Sequence, residues 1–359
     1  MKNIYLCDYI GTCDEDNKPT GHQIKVLNEY YNILQGEYSI RFAIPKFYID
    51  FINNKDNEDI LTLESYIKTG IVDLKTKLNN LYYKISSIRK ILLKTGSDTI
   101  WFVNFDYFLG LVLLFTRIPK NKNVILTTFM DEYNNNSSLS DKIKSKLFKF
   151  ALSKSNLIIT SNKIVSKKYC NSIFVPDYYY HDEYNKYKNI EKKNKVINVG
   201  TMGQVKDLEG LIDKWNIDTY TLEINGRFED EKRYNKLKIK CDGNIIIKNN
   251  NLSYIDYLSK IAESKFVILP YKESSYSNRS SGVLLETIFL GSIPIAPKFL
   301  LNFNNIKGVD YEKFISGEID LNNQCKLESI LNHNNHLITS IYNQDKIKQT
   351  ILDAIKERE

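Results

Sequence analysis

The sequence predicts an α/β protein in which two doubly wound parallel-sheet domains face each other across a cleft. Three observations carry this. The 359 residues exceed the ~150 typical of one domain, so two are expected. Short buried-strand patterns alternate with helical stretches along the chain, which argues for parallel sheets with helices on both faces. The alternation lapses once, at Asp177–Lys195, a stretch rich in Tyr, Asn and Lys, and then starts again. The expected division is 1–180, a linker at 181–194, a second domain at 195–340, and a C-terminal helix within 341–359 that closes the second domain or packs back on the first.

The elements follow from local pattern. Lys2–Tyr9 reads as a buried strand and Gly11–Gly21 as a polar loop. Ile24, Leu27, Tyr30, Tyr31 and Leu34 recur at helical spacing until Gly36 stops the run. Tyr38–Ile49 is strand-like, and residues 71–94 form an amphipathic helix, with Ile71, Leu74, Leu78, Leu81, Ile85, Ile88 and Leu92 on one face and Lys75, Lys77, Lys84, Arg89, Lys90 and Lys94 on the others. Strands at Thr99–Asn104, Val124–Phe129, Leu157–Thr160 and Ser172–Pro176 are interleaved with helices at Tyr107–Phe115 and Ser140–Leu152. The second half has strands at Val196–Val199, Thr221–Ile224, Asn244–Ile247, Phe266–Leu269 and Ile293–Ala296. Its helices fall near 206–215, 229–239, 253–263 and 280–290, with a last helical run at Ile341–Ile355.

Composition excludes several classes. With 25 Tyr and 17 Phe there is apolar mass for two cores, which rules out wholesale disorder. The longest strongly apolar run, Phe105–Phe115, is broken by Asp106 and falls short of the ~20 residues of a membrane span. The first residues reach Asp8 without an apolar leader core, so a cytoplasmic protein is expected. Cys7, Cys13, Cys170, Cys241 and Cys325 are odd in number and scattered, unlike a disulfide or zinc framework. The net charge of +7 favours anionic partners. Lys142, Lys144, Lys146, Lys149 and Lys154, with the basic 71–94 helix, point either to an anionic membrane surface or to a solvated lysine face. No recognition module or stacking platform for nucleic acid is present.

The chemistry concentrates in Phe266–Pro297. A buried strand leads into a polar loop, and Ser280-Ser281-Gly282 opens a helix, where free backbone N–H groups and small side chains suit a phosphate or diphosphate. Glu286 lies one turn deeper, within reach of a ribose. A second segment, Val199-Gly200-Thr201-Met202-Gly203-Gln204-Val205-Lys206, follows the first strand of the second half.

These segments resemble the donor-binding elements of GT-B glycosyltransferases, in particular the retaining family 4 (glycosyl transferases group 1). Leu285–Ile295 follows the second half of that family's Glu-rich element, and Leu222–Gly226 is similar to its strand ending in Gly. The resemblance implies two Rossmann-like domains and a nucleotide-diphosphate sugar, UDP- or GDP-linked, as donor. It places Glu286 on the ribose, the amides near Ser280, Ser281 and Gly282 on the diphosphate, and Lys206 in register with the family's phosphate-binding lysine after Gly200. The family's first Glu is Asn278 here and its Arg is Thr201, with Glu273 and Arg279 as the nearest replacements. Lysine, arginine and a helix start would neutralise the leaving diphosphate, so no metal or other cofactor is expected, and transfer is expected to be retaining.

In the first half, Gly21 and His22 open the first helix, where relatives bring a loop to the acceptor, and Thr20 doubles as a cap. Asp131 and Glu132 follow the Val124–Phe129 strand and are candidates to orient or deprotonate an acceptor hydroxyl, or to cap a helix. Asp14-Glu15-Asp16 reads as a solvated loop, and His333 and His336 as surface residues. The expected acceptor is a surface polysaccharide or lipid-linked glycan. A non-catalytic sugar-nucleotide-binding partner subunit, an inverting GT-B transferase and a nucleotide-sugar epimerase remain open beside this.

Overall fold

The computed structural model describes residues 2–13, 19–20, 23–53, 60–63, 67–68, 74–95, 99–118, 122–130, 138–217, 219–276, 280–319 and 321–358. The chain divides into two compact units, Met1–Val175 with Lys348–Glu359, and Pro176–Ile347.

In unit 1 the elements are β1 (Asn3–Asp8), β2 (Thr12–Cys13), β3 (Pro19–Thr20), α1 (Gln23–Leu34), β4 (Ser39–Pro45), β5 (Ile60–Leu63) and β6 (Ile67–Lys68). They continue with α2 (Leu74–Lys94), β7 (Thr99–Asn104), α3 (Tyr107–Phe115), β8 (Val124–Thr128), α4 (Leu139–Lys154), β9 (Leu157–Thr160), α5 (Lys163–Lys168) and β10 (Ser172–Phe174). Seven strands form a sheet in the order β10-β9-β8-β7-β1-β4-β5, and every pairing in it is parallel. A separate small sheet has the order β3-β2-β6. The core is apolar: Phe105, just past β7, stacks on Phe148 of α4 with centroids 4.7 Å apart. Helices α3 and α4 touch backbone to backbone, because Gly110 carries no side chain to hold Leu147 away.

Unit 2 contains β11 (Lys193–Val199), α6 (Leu208–Lys214), β12 (Thr221–Gly226), α7 (Glu231–Lys240), β13 (Ile245–Asn249), α8 (Tyr254–Ala262), β14 (Ser264–Ile268) and α9 (Glu273–Tyr276). It ends with α10 (Gly282–Phe289), β15 (Ile293–Ala296), α11 (Lys298–Asn304), β16 (Val309–Asp310), α12 (Tyr311–Ile315), α13 (Gln324–Ser340) and α14 (Gln344–Lys356), the last of which runs on into unit 1. The sheet order is β13-β12-β11-β14-β15-β16, again wholly parallel. Both faces are buried, as a parallel sheet covered by helices requires. Val196, Phe266 and Ile268 pack on one face, and Ile197, Val199, Val267 and Leu269 on the other.

Two expectations change in detail, and one helix is new. The strand expected to reach Ile49 stops at Pro45, and a 3₁₀ turn over Lys46–Phe51 follows, since proline withholds the N–H a ladder needs. The stretch at 181–194 is folded into unit 2: Asp182–Tyr187 is a 3₁₀ turn, and Tyr184 is buried between His181 and Phe289. Helix α13 has no counterpart in the sequence reading. No helix among the described residues is long and apolar enough to cross a membrane.

Candidate functional site

In a doubly wound sheet, ligands sit at the carboxyl ends of strands where the winding reverses direction. In unit 2 that point lies between β11 and β14, because the chain winds outward through β12 and β13 and then returns to the other side of β11. The segments singled out in the sequence end here. Gly200, directly after β11, has φ +93°, a conformation that glycine adopts without strain. Among the described residues, a Cβ on it would meet only Val283 and Tyr257, at van der Waals distance. Gly226, closing β12, lies so near that a Cβ would stand 1.8 Å from the Gly200 carbonyl oxygen. The carboxyl end of β11 is therefore bare backbone.

The loop after β11 is stitched to the loop after β14. Lys206 bridges to Tyr271, the Asp207 amide donates to the Pro270 carbonyl at 2.7 Å, and the Lys272 amide to the Val205 carbonyl at 3.0 Å. This folds the Lys206 side chain inward, where it is only 2% exposed. Its ammonium donates to the Val199 carbonyl at 2.8 Å and lies over the Tyr271 ring at 5.8 Å. Among the described residues its other hydrogen-bond contacts, Asn198 Oδ1 and Met202 Sδ, are also uncharged. Burial first, and the neighbouring Arg233 guanidinium second, push its pKa down to about 7. A buried ammonium served only by neutral groups is costly, and an incoming anion relieves that cost.

Helix α10 starts beside Tyr271. Ser281 caps it, accepting from the Leu284 amide at 3.4 Å while its own hydroxyl donates to Tyr271 Oη at 3.3 Å. Tyr271 thus joins Lys206 to the start of the helix. Gly282 is the first helical residue, and a Cβ there would strike the Tyr178 ring at 2.7 Å. Ser280 is turned aside, its hydroxyl donating to Asn304 Oδ1 at 2.7 Å. One turn into the helix, Glu286 is 3% exposed and accepts from Tyr257 Oη at 2.6 Å and Tyr254 Oη at 3.1 Å.

No protein-family model matches the chain, and no curated protein matches it in sequence. Solved structures do match over the whole chain. UDP-GlcNAc 2-epimerase from Neisseria meningitidis, bound to UDP-GlcNAc, is 12% identical at TM-score 0.57, covering 99% of this chain and 100% of that one. AviGT4, a glycosyltransferase of avilamycin A biosynthesis, is 8% identical at TM-score 0.58, covering 99% and 97%. The N-terminal domain of trehalose-6-phosphate phosphatase from Candida albicans is 10% identical at TM-score 0.66, also covering 99% and 97%. The chain has the GT-B fold, with two Rossmann-like α/β units.

Within this GT-B chain, the structure brings Gly200, Lys206, Ser281, Gly282 and Glu286 to one end of the unit 2 sheet, with Thr201 exposed beside them. Asn278 and Arg279 lie outside the described residues, as do Gly21, His22, Asp131 and Glu132. Among the described residues no group of three or more His, Cys, Asp or Glu is placed to hold a metal ion. The His333 ring lies 3.0 Å from the Asn305 carbonyl oxygen.

Four further residues, to which no motif assigns a role, shape the site. Tyr271 lies within the Phe266–Pro297 segment, directly after Pro270. Tyr254 and Tyr257 carry the i, i+3 spacing that puts both on one face of α8. Arg233, one of few arginines, is buried and donates to the carbonyls of Gly203 at 2.7 Å and Lys206 at 2.8 Å.

The unit 1 sheet reverses between β1 and β7. Two carboxyls end those strands. Asp106 caps α3, accepts from Tyr9 Oη at 3.0 Å and pairs with Lys84 at 2.7 Å. Asp8 is fully buried, and burial raises its pKa to about 7 against the pull of the Ile10 amide, Tyr48 and Lys84.

Proposed function

We propose that the protein is a nucleotide-sugar-dependent glycosyltransferase whose donor binds unit 2. The observation that carries this is the convergence of a buried, anion-seeking Lys206, the bare Gly200 backbone and the capped start of α10 at one sheet end, with the Glu286 carboxylate one turn deeper. The amides of the α10 start and the Lys206 ammonium suit a diphosphate, and Glu286 suits the two hydroxyls of a ribose. As the sugar–phosphate bond breaks, charge grows on the diphosphate oxygens, and fixed cations and amides aimed there stabilise it without a metal. Retention of configuration follows the family resemblance. The acceptor, a glycan or lipid-linked glycan, is assigned to unit 1, whose helix α4 offers the exposed Lys142 and Lys146 beside exposed Leu139 and Ile143 to an anionic membrane surface.

The structural similarity to a UDP-GlcNAc 2-epimerase over that enzyme's full length favours one second reading, an epimerase acting on the same kind of donor. A thermal-shift screen of UDP-, GDP-, CMP- and dTDP-sugars selects the nucleotide, since a ligand stabilises the fold in proportion to its binding. Turnover of the selected donor in EDTA then separates the readings. Nucleoside diphosphate release with a glycosylated acceptor supports the transferase; a new sugar nucleotide formed without acceptor supports the epimerase. Binding with no consumption of any donor overturns both.

A further inference from the structure

The Glu286 carboxylate is already engaged by two phenols, and the two are held very differently. Tyr257 sits one turn into α8, half-buried, with its ring edge beside Gly200. Its hydroxyl donates to Oε2 at 2.6 Å, and burial together with the Glu286 charge keeps it protonated far above the ordinary tyrosine range. Tyr254 is the first residue of α8 after its cap, Ser253, and 46% of it is exposed. Its hydroxyl donates to Oε1 at a longer 3.1 Å and lies 3.5 Å from Tyr184 Oη. A side chain in the first helical turn with nearly half its surface in water can change rotamer without opening the core.

We propose that Tyr254 is a built-in stand-in for a ligand hydroxyl. Its phenol holds Oε1 of Glu286 while the site is empty, a ribose hydroxyl takes that place when a nucleotide binds, and Tyr254 turns its hydroxyl to solvent. Tyr257 stays in both states as the residue that positions the carboxylate. This rests on the assignment of Glu286 to the ribose. The exchange replaces one O–H donor on Oε1 by another, so the hydrogen bond that Tyr254 gives up is subtracted from nucleotide affinity. The same one-atom change at the two tyrosines must therefore act in opposite directions.

The test is calorimetric titration of the full chain with UDP and with 2′,3′-dideoxyuridine diphosphate. Tyr254→Phe is expected to bind UDP about three- to tenfold more tightly than the parent, the range one net hydrogen bond spans. Tyr257→Phe is expected to bind it several-fold more weakly. With the dideoxy ligand the gain from Tyr254→Phe disappears, because nothing then displaces the phenol. Parent chain that binds UDP while Tyr254→Phe binds it equally or less tightly overturns the stand-in role and leaves the functional reading intact. A parent chain that binds no nucleoside diphosphate overturns the ribose assignment and this inference with it.

Discussion

The guanidinium of Arg233 grips the carboxylate of Glu209 with two hydrogen bonds, Nε at 2.7 Å and Nη2 at 2.6 Å, from α7 to α6. The other edge of the same fork donates to the carbonyls of Gly203 and Lys206, so one side chain fixes both the helix pair and the loop that carries Lys206. Arg233→Ala removes these bonds and leaves loop carbonyls unserved; unit 2 is expected to lose on the order of 3 kcal/mol in denaturant titration. Arg233→Lys recovers little of this, because an ammonium lacks the planar fork. A lysine variant with the parent's stability refutes the clamp.

Lys206 leads to a prediction in which stability and activity part company. Its ammonium is held near pKa 7 by burial and Arg233, while the unfolded chain keeps an ordinary lysine value of 10.5. Between those values the unfolded state binds more protons, so this residue's contribution to stability rises with pH from about 7 to 10.5 and is absent below about 7. Lys206→Met is expected to flatten that rise and to remain within about 1 kcal/mol of the parent near neutrality, since it removes a buried charge whose hydrogen-bond partners among the described residues are all neutral. Its turnover is expected to fall on the order of 10²–10³-fold. Melting curves across pH, paired with donor turnover, check both halves; unchanged turnover removes Lys206 from the site.

The same shift predicts proton uptake. A diphosphate beside Lys206 favours its charged form, so nucleotide binding at about pH 8 draws a proton onto it, and binding at about pH 6 draws almost none. Calorimetry in two buffers of different ionisation heat counts these protons. Equal counts at both pH values, or none, argue that the phosphate does not reach Lys206.

Much of this was legible in the sequence because parallel strands buried on both faces leave a plain signal. The bounds expected for Thr99–Asn104 and Tyr107–Phe115 are those the structure gives. Helix α13 was not, because its buried positions Leu327, Ile330, Asn334 and Leu337 include an asparagine. Asn334 is spoken for by tertiary contacts, accepting from the Lys307 amide and donating to its carbonyl, which no periodicity can show. At the site, Gly200, Ser281 and Glu286 were legible as motif members. What the motif hid is that Glu286 and Lys206 are buried against tyrosines, because those come from α8 and the β14 loop and meet only in three dimensions.

Two glycines predict distinct failures. A Cβ on Gly226 would stand 1.8 Å from the Gly200 carbonyl oxygen, so Gly226→Ala must push the end of β11 aside. Both the melting temperature and nucleotide affinity are expected to drop. A Cβ on Gly110 would stand 1.9 Å from the Leu147 carbonyl oxygen and force α3 off α4. Gly110→Ala is expected to cost about 1–3 kcal/mol in unit 1 and to leave nucleotide affinity unchanged. A Gly226→Ala protein with parental affinity contradicts the placement of the nucleotide against this backbone.

Asp8 sets a pH dependence of opposite sign to that of Lys206. Its folded pKa is raised from 3.8 to about 7, chiefly by burial, with Asp106 adding to the rise and the Ile10 amide, Tyr48 and Lys84 opposing it. The folded chain therefore holds a proton that the unfolded chain has lost between those values. The stability Asp8 contributes is full below 3.8 and is lost as pH rises through about 7. Asp8→Asn keeps an oxygen for the Ile10 amide, which now donates to Oδ1 at 2.8 Å, and cannot ionise. The parent's melting temperature is expected to fall more steeply than the variant's from about pH 5 to pH 8, so that the variant is the more stable protein at the alkaline end. Parallel curves would place the Asp8 proton elsewhere, with Lys84 and Tyr48 then holding the carboxylate ionised throughout.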